Sequence, residues 1–289
     1  MKIINSLSHR EQEPEKSVLY IVGTPIGNLN DVSFRAINIL KNVSFIACED
    51  TRQTQKIMNK FDIKNKLISF NMHNSFEKIP SIINSLKEGK SVALVSDAGL
   101  PSICDPGEDL IDKVRISNLD VICIPGPCAA LTALVSSGFP SSKFVFEGFL
   151  PKKQTEREKI LRGIGTSEKT IIIYESPHRL HKLLEELKNF CGTNREILIT
   201  RELTKKFEQH IRSSTDKALE IFEEEKIMGE FTIVIKGIKK EREEKVDLSD
   251  LKNELHELIN AGLSLTAASK YLSKKESIKK NLIYDLYFK

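Results

Sequence analysis

The sequence predicts an α/β fold in two sheet-bearing parts, followed by a small helical tail. Three observations carry that expectation. Short, almost wholly apolar runs alternate with helix-length segments through residues 17–142, the rhythm of an open parallel sheet covered on both faces. Residues 143–238 hold further β-rich runs with fewer helical stretches between them, which points to a mixed sheet. Past a charged run, Lys239–Lys245, apolar residues recur at helical spacing through residues 246–289.

In the first part, strands are expected at Val18–Val22, Val43–Cys48, Leu67–Phe70, Val92–Ser96 and Val121–Ile124, with helices over segments such as Asp31–Lys41 and Phe76–Lys87. Gly148–Lys153 reads as a hinge. The second part shows strands at Lys143–Phe149, Thr170–Tyr174, Glu196–Thr200, Phe207–Arg212 and Phe231–Lys236. Lys239–Lys245 reads as a solvated linker. In the tail, Leu251, Leu255, Leu258 and Ile259 form one helical stripe, Leu265, Ala268 and Leu272 a second, and Ile278, Leu282 and Leu286 a third. These stripes are core. The polar faces carry Lys270, Lys274, Lys275, Lys279 and Lys280, the densest basic patch in the chain, which fits either a solvated face or phosphate contact. Residues 1–16 are polar and mixed in charge and read as a flexible tail.

A chain of 289 residues can bury two ordinary cores. No apolar run approaches the ~20 residues that span a bilayer, so no membrane partner is expected. A net charge of +4 permits a nucleic-acid partner without requiring one. Cys48, Cys104, Cys123, Cys128 and Cys191 contain no C-x-x-C pair; their odd number and scatter suit a reduced, cytoplasmic protein, with no metal suggested. Cys48 and Cys123 read as small buried hydrophobes.

Ligands of open α/β sheets bind beyond the carboxyl ends of the strands, and four loops there are unusual. Gly23–Leu29 contains two glycines and a proline, allowing close backbone approach to a ligand, but matches neither a Walker A loop nor G-x-G-x-x-G. A tight strand-to-helix turn explains it equally. Cys48–Arg52 sets Glu49 and Asp50 beside Arg52, a group that could orient a ribose, act as a base, or cap a helix through Asp50. In Ser96–Gly107, Asp97 ends an apolar strand beside Ala98 and Gly99 and is the functional candidate, while Asp105–Pro106 reads as the N-cap and first residue of the next helix. In Pro125–Ala130, Pro127 opens a helix of small residues whose N-terminal N–H groups suit a polar ligand group, or which simply packs closely on the sheet. His73 and Asn74 sit in a loop after the third strand where a substrate could reach. No nucleophile is paired with a base.

With these loops in place, the order GTPIGNL, CEDTR, SDAG-x-P…DPG, PGPCAA resembles the tetrapyrrole methylase superfamily, and most nearly its ribosomal-RNA-modifying branch. EGFLP, YESPHR, RELTK, GEFTIVI and KKNLIY extend the resemblance over residues 17–289. It implies a two-domain homodimer that binds S-adenosylmethionine between its domains and methylates the 2′-oxygen of a cytidine in the decoding region of 16S ribosomal RNA, with the small ribosomal subunit as partner. Carried over by motif, Asp97, Ala98, Gly99, Pro125, Gly126 and Ala129 line the donor pocket, with Glu175 and Leu203 from the second domain. Pro25, Asn28, Glu49, Asp50 and Arg52 face the acceptor ribose, and His73, Lys274, Lys275, Lys279 and Lys280 are further candidates for substrate contact. Two positions depart from the pattern: Leu100 stands where threonine is usual, and Ser213 where glycine is common. Neither removes a charge, so altered packing rather than lost activity is expected. A tetrapyrrole methyltransferase and a non-catalytic RNA-binding relative are the alternatives. CEDTR, YESPHR and the lysine-rich tail favour the RNA enzyme over the former; intact donor loops disfavour the latter.

Overall fold

The computed structural model describes residues 13–223, 227–239, 248–276 and 278–288. Two compact units emerge, residues 1–237 and residues 238–289. No helix among the described residues is long and apolar enough to cross a membrane.

The first unit contains two five-stranded sheets. The first sheet comprises β1 (Val18–Val22), β2 (Phe45–Cys48), β3 (Leu67–Ser69), β4 (Val92–Val95) and β5 (Asp120–Ile124), in the order β3-β2-β4-β1-β5. Every pairing in it is parallel. β1 is buried along its whole length, as an apolar strand with helices on both faces must be. On one face Ala36, Ile39 and Leu40 of α1 (Phe34–Asn42) and Met58 of α2 (Thr51–Lys60) meet Tyr20, Ile46 and Ala93. On the other, Ile82 and Leu86 of α3 (Ser75–Lys87) and Leu110 and Val114 of α4 (Glu108–Ile116) meet Leu19, Ala47 and Leu94. Ser33 caps α1 by accepting from the Ala36 N–H, which explains why that helix starts at Phe34, after a short 3-10 turn at Leu29–Asp31, rather than at Asp31.

α5 (Ala129–Ser137) leads into the second sheet. That sheet comprises β6 (Phe144–Phe149), β7 (Thr170–Glu175), β8 (Glu196–Arg201), β9 (Gln209–Ser214) and β10 (Phe231–Ile235), ordered β6-β7-β10-β8-β9. β6 runs parallel to β7 and the remaining pairs are antiparallel, so the sheet is mixed as expected. Its strands alternate faces with period two. Ile171, Ile173, Ile197, Ile199, Ile233 and Ile235 face α6 (Gln154–Thr166), α7 (Pro177–Cys191) and α8 (Thr215–Ile221). Ile172, Leu198 and Val234 face the small residues Ala130 and Ala133 of α5. Helix α5, which follows the last strand of the first sheet, thus packs closely on the second.

Several expectations are corrected. Gly148 and Phe149, read as part of a hinge, close β6. Phe207 is exposed and lies before β9, which starts at Gln209 because Glu202–Glu208 forms a chain of turns with positive φ at Glu202 and Thr204. Cys48 is buried, but Cys123 is exposed, because β5 is an edge strand. Of the segment read as a flexible tail, residues 1–12 lie outside the described residues; Glu13 is buried and accepts from the Arg35 guanidinium at 2.7 and 2.6 Å. Of the charged linker Lys239–Lys245, residues 240–245 also lie outside them, as do residues 246–247 of the expected tail.

The second unit contains α9 (Leu248–Asn260), α10 (Leu265–Lys275) and α11 (Lys280–Leu286) around Leu251, Leu255, Ala268, Leu272 and Ile283. The first two stripes are as expected. The third is shifted: Ile283 is buried with Ile278 and Leu286, and Leu282 is exposed. Helix α11 is a short helix entered at Lys280, so the face set by Ile283 and Leu286 turns inward and leaves Leu282 outside.

Candidate active site

The loops after β1, β4 and β5 meet tightly. Thr24 and Gly99 exchange backbone hydrogen bonds of 2.8 and 3.1 Å, and Gly99 takes φ +81°, a conformation glycine adopts freely. A Cβ on Gly23 or Gly126 would stand 2.7 Å from the other's Cα, so these two glycines exist because two backbones touch. The β1 loop also meets the second sheet. A Cβ on Gly27 would lie 2.4 Å from Cγ of Lys205, and the Asn28 N–H donates to Thr204 Oγ1 at 3.0 Å.

These contacts frame a cavity of about 340 Å³ between the two sheets. Its walls include Ala98, Gly99, Leu100, Asp105 and Cys128–Ala129 from the first half, and Phe149, Tyr174–Pro177, Leu203 and Glu230–Thr232 from the second. Of the residues expected around a donor, Ala98, Gly99, Ala129, Glu175 and Leu203 line it. Asp97, Pro125 and Gly126 stand outside its lining. The Glu175 carboxylate is wholly buried, 3.6 Å from Arg157 and 3.4 Å from Arg179, so it offers the cavity backbone rather than charge. Helix α5 begins at Ala129 rather than Pro127, and its Ala130 N–H donates to the Tyr174 hydroxyl at 3.0 Å. Tyr174 and Phe149 are wall residues that sequence reasoning did not single out, although each sits inside a motif it had noticed, and Asp105 reads from sequence as structural. Leu100, at the position departing from the threonine pattern, adds apolar surface to the wall.

Asp105 corrects an expectation. Helix α4 starts at Glu108 with Gly107 at its N-cap, so Asp105 does not cap it. Positive φ at Ser102, Cys104 and Gly107 turns the chain and delays the helix. Asp105 instead lies beside the Ser96 side chain. It belongs to an acidic cluster with Glu49 and Asp97. Burial, then repulsion from Asp105 and Asp97, raises the pKa of Glu49. Burial is also the main cause raising Asp97 and Asp105. Asp97 Oδ1 accepts from the Asp50 N–H at 3.0 Å, which ties the β2 and β4 loops together.

Asp50 does cap α2, accepting from the Arg52 N–H at 2.8 Å, and its carboxylate also holds the Arg52 guanidinium at 2.6 Å. The Arg52 side chain hydrogen bond, followed by its N–H, lowers the Asp50 pKa to about 2. Arg52 itself remains 87% exposed. Asn28 caps the short turn at Leu29–Asp31, and Pro25 lies in the same loop. His73 is exposed after β3. The lysines lie in the second unit: Lys274, Lys275 and Lys279 are exposed and Lys280 is half-buried. Lys275 is already engaged by Glu254 and Glu276. Among the described residues, no group of three or more His, Cys, Asp or Glu could hold a metal ion.

The sequence profile of the Tetrapyrrole (Corrin/Porphyrin) Methylases matches residues 18–219. The chain belongs to the tetrapyrrole methylase family. Members named "Ribosomal RNA small subunit methyltransferase I" are similar over nearly the whole chain. The one from Halalkalibacterium halodurans is 42% identical, covering 96% of each chain, and the one from Synechocystis is 40% identical, covering 93% of this chain and 96% of its own. One from Thermotoga maritima is 44% identical over 219 residues, 76% of this chain and 98% of its own. Solved family members share the fold at low identity. A cobalt precorrin-4 methyltransferase superposes with a TM-score of 0.59 at 15% identity, covering 76% of this chain and 95% of its own. A uroporphyrin-III C-methyltransferase from Thermus thermophilus, solved with S-adenosyl homocysteine, gives 0.53 at 14%, covering 75% of this chain and 96% of its own.

Proposed function

We propose that this chain transfers the methyl group of S-adenosylmethionine to the 2′-oxygen of a cytidine in the decoding region of 16S ribosomal RNA, as a cytoplasmic homodimer acting on the small ribosomal subunit. The observation that carries the proposal is identity of 40–42% with relatives named for ribosomal RNA methylation, across 93–96% of the chain.

The cavity suits the donor. Its 340 Å³ falls within the range of small-molecule sites, about 300–1,000 Å³. Ile26, Leu100, Phe149 and Leu203 offer apolar surface to a purine, and Ala98, Gly99 and Ala129 allow close approach. Asp105 supplies negative charge for a cationic donor. Ser176 and Pro177 bring the start of α7 to the wall. Bound there, S-adenosylmethionine supplies a methyl group already activated by its sulfonium.

The remaining work is positioning and removal of one proton. Glu49, Asp97 and Asp105 hold their protons more tightly than ordinary carboxyls, which fits one of them for accepting the proton of the acceptor hydroxyl. Arg52, fixed by Asp50, presents an exposed cation for a neighbouring phosphate, with Pro25, Asn28 and His73 on the surrounding loops. Purified chain given labelled S-adenosylmethionine should label small subunits that lack the modification. Labelling of a tetrapyrrole instead would overturn the assignment.

A further inference from the structure

Two of the most exposed apolar side chains, Met72 and Phe76, are 78% and 89% accessible and lie just past the carboxyl end of β3. Flexibility does not explain their exposure, because the backbone beneath them is latched. Asn71 Oδ1 accepts from the N–H groups of His73 and Asn74, and Asn74 Oδ1 accepts from the Asn71 N–H at 2.8 Å. Asn74 Nδ2 donates to both the carbonyl and the hydroxyl of Ser69. The segment is therefore built to hold Met72 and Phe76 in water.

Its position is equally specific. The Phe70 N–H donates to the Cys48 carbonyl at 2.8 Å, so this loop leaves the sheet beside the Glu49–Arg52 loop. Arg52, at the start of α2 directly after that loop, is exposed, as is Lys56 one turn further on. An exposed aromatic ring after one strand, with exposed cations after the strand paired to it, is a combination that suits single-stranded nucleic acid: the ring stacks on a base while the cations meet phosphates. Two side chains are too little for a protein interface, which buries about 800 Å² on each partner.

We propose that the Asn71–Phe76 loop is a stacking platform for an unpaired base flanking the methylated nucleotide. This rests on the RNA reading above and adds to it how the strand is held. Sequence-specific RNA recognition favours unpaired segments whose bases can be splayed out and stacked on aromatic side chains, and a platform for the neighbour stabilises the unstacked strand.

The test uses the full chain and a short unpaired oligocytidine strand, with the same strand in a duplex as comparison. Phe76→Ala should weaken single-strand binding by between about fivefold and a hundredfold. Duplex binding and S-adenosylmethionine affinity should not change, and Phe76→Trp should restore the lost affinity. The same Phe76→Ala variant should methylate small subunits with a raised KM. Unchanged strand affinity in Phe76→Ala, with wild type binding and methylating normally, overturns the platform and leaves the RNA reading standing. If wild type neither binds the strand nor methylates subunits, the RNA reading fails and the platform with it. If Phe76→Ala instead splits a dimer in sedimentation, the patch is a contact between copies and the platform is wrong.

Discussion

Burial raises the proton affinity of Glu49, Asp97 and Asp105, and repulsion adds to it: Asp105 and Asp97 act on Glu49, and Asp97 acts on Asp105. That arrangement is a stability liability at neutral pH. A carboxyl whose folded pKa is raised contributes fully below its ordinary range, near pH 4, and loses that contribution as pH rises through the folded value. Glu49→Gln should therefore unfold at a higher temperature than wild type at pH 7. The gap should close below about pH 4. A gap that persists unchanged in acid would assign the effect to packing. Asp97→Asn keeps the shape while removing charge, and should lower methyl transfer at least tenfold, about 1.4 kcal/mol of transition-state stabilisation. Full turnover in that variant would remove Asp97 from the site. Glu49 and Asp97 stood out in the sequence as candidates because a carboxylate ending an apolar strand has few structural reasons to be there, and the structure brings both into one acidic cluster. Asp105 was misread because Asp-Pro imitates a helix start, and only the positive φ values around it reveal a turn. Gly23 was legible as a close approach, but the backbone it approaches is that of Gly126.

At the scale of elements, the parallel strands were readable because burial on both faces forces continuous apolar runs. The strand edges, the start of β9 and the face of α11 were not, since these depend on turns and neighbours rather than on periodicity. Equally hidden was the charged core joining α6, α7 and β7. Arg157 is 2% exposed, 2.7 Å from Glu186 and 3.6 Å from Glu175. The Glu175 carboxylate also accepts from the Ser176 N–H at 2.9 Å, at the start of the helix that walls the cavity. Removing one partner of such a buried group strands the others, which typically destabilises by about 3–5 kcal/mol. Arg157→Met should lower thermal stability on that scale and weaken donor binding by loosening the α7 N-terminus. A variant that unfolds like wild type would show that the network contributes little.

For the whole molecule, the question is what the second unit adds. The Thermotoga maritima relative matches over only 76% of this chain while being nearly fully covered itself, so about a quarter of this chain has no counterpart in that match. We expect a chain ending at Gly237 to bind S-adenosylmethionine normally and small subunits more weakly. Reversing the charges of Lys274, Lys279 and Lys280 should act in the same direction, flattening the salt dependence by about 0.7 per lost phosphate contact on single-stranded RNA. Lys275 is left out because Glu254 already holds it. Unchanged subunit affinity and salt slope would make this face merely solvated. The central claim, methyl transfer to a ribose oxygen of RNA, has a direct chemical readout. Alkali cleaves RNA by attack of the free 2′-hydroxyl on the adjoining phosphate, so a 2′-O-methyl group protects that one bond. After transfer from labelled S-adenosylmethionine to unmodified small subunits and complete alkaline digestion, the label should appear in dinucleotides beginning with cytidine; label recovered in mononucleotides would place the methyl group on a base and contradict the account.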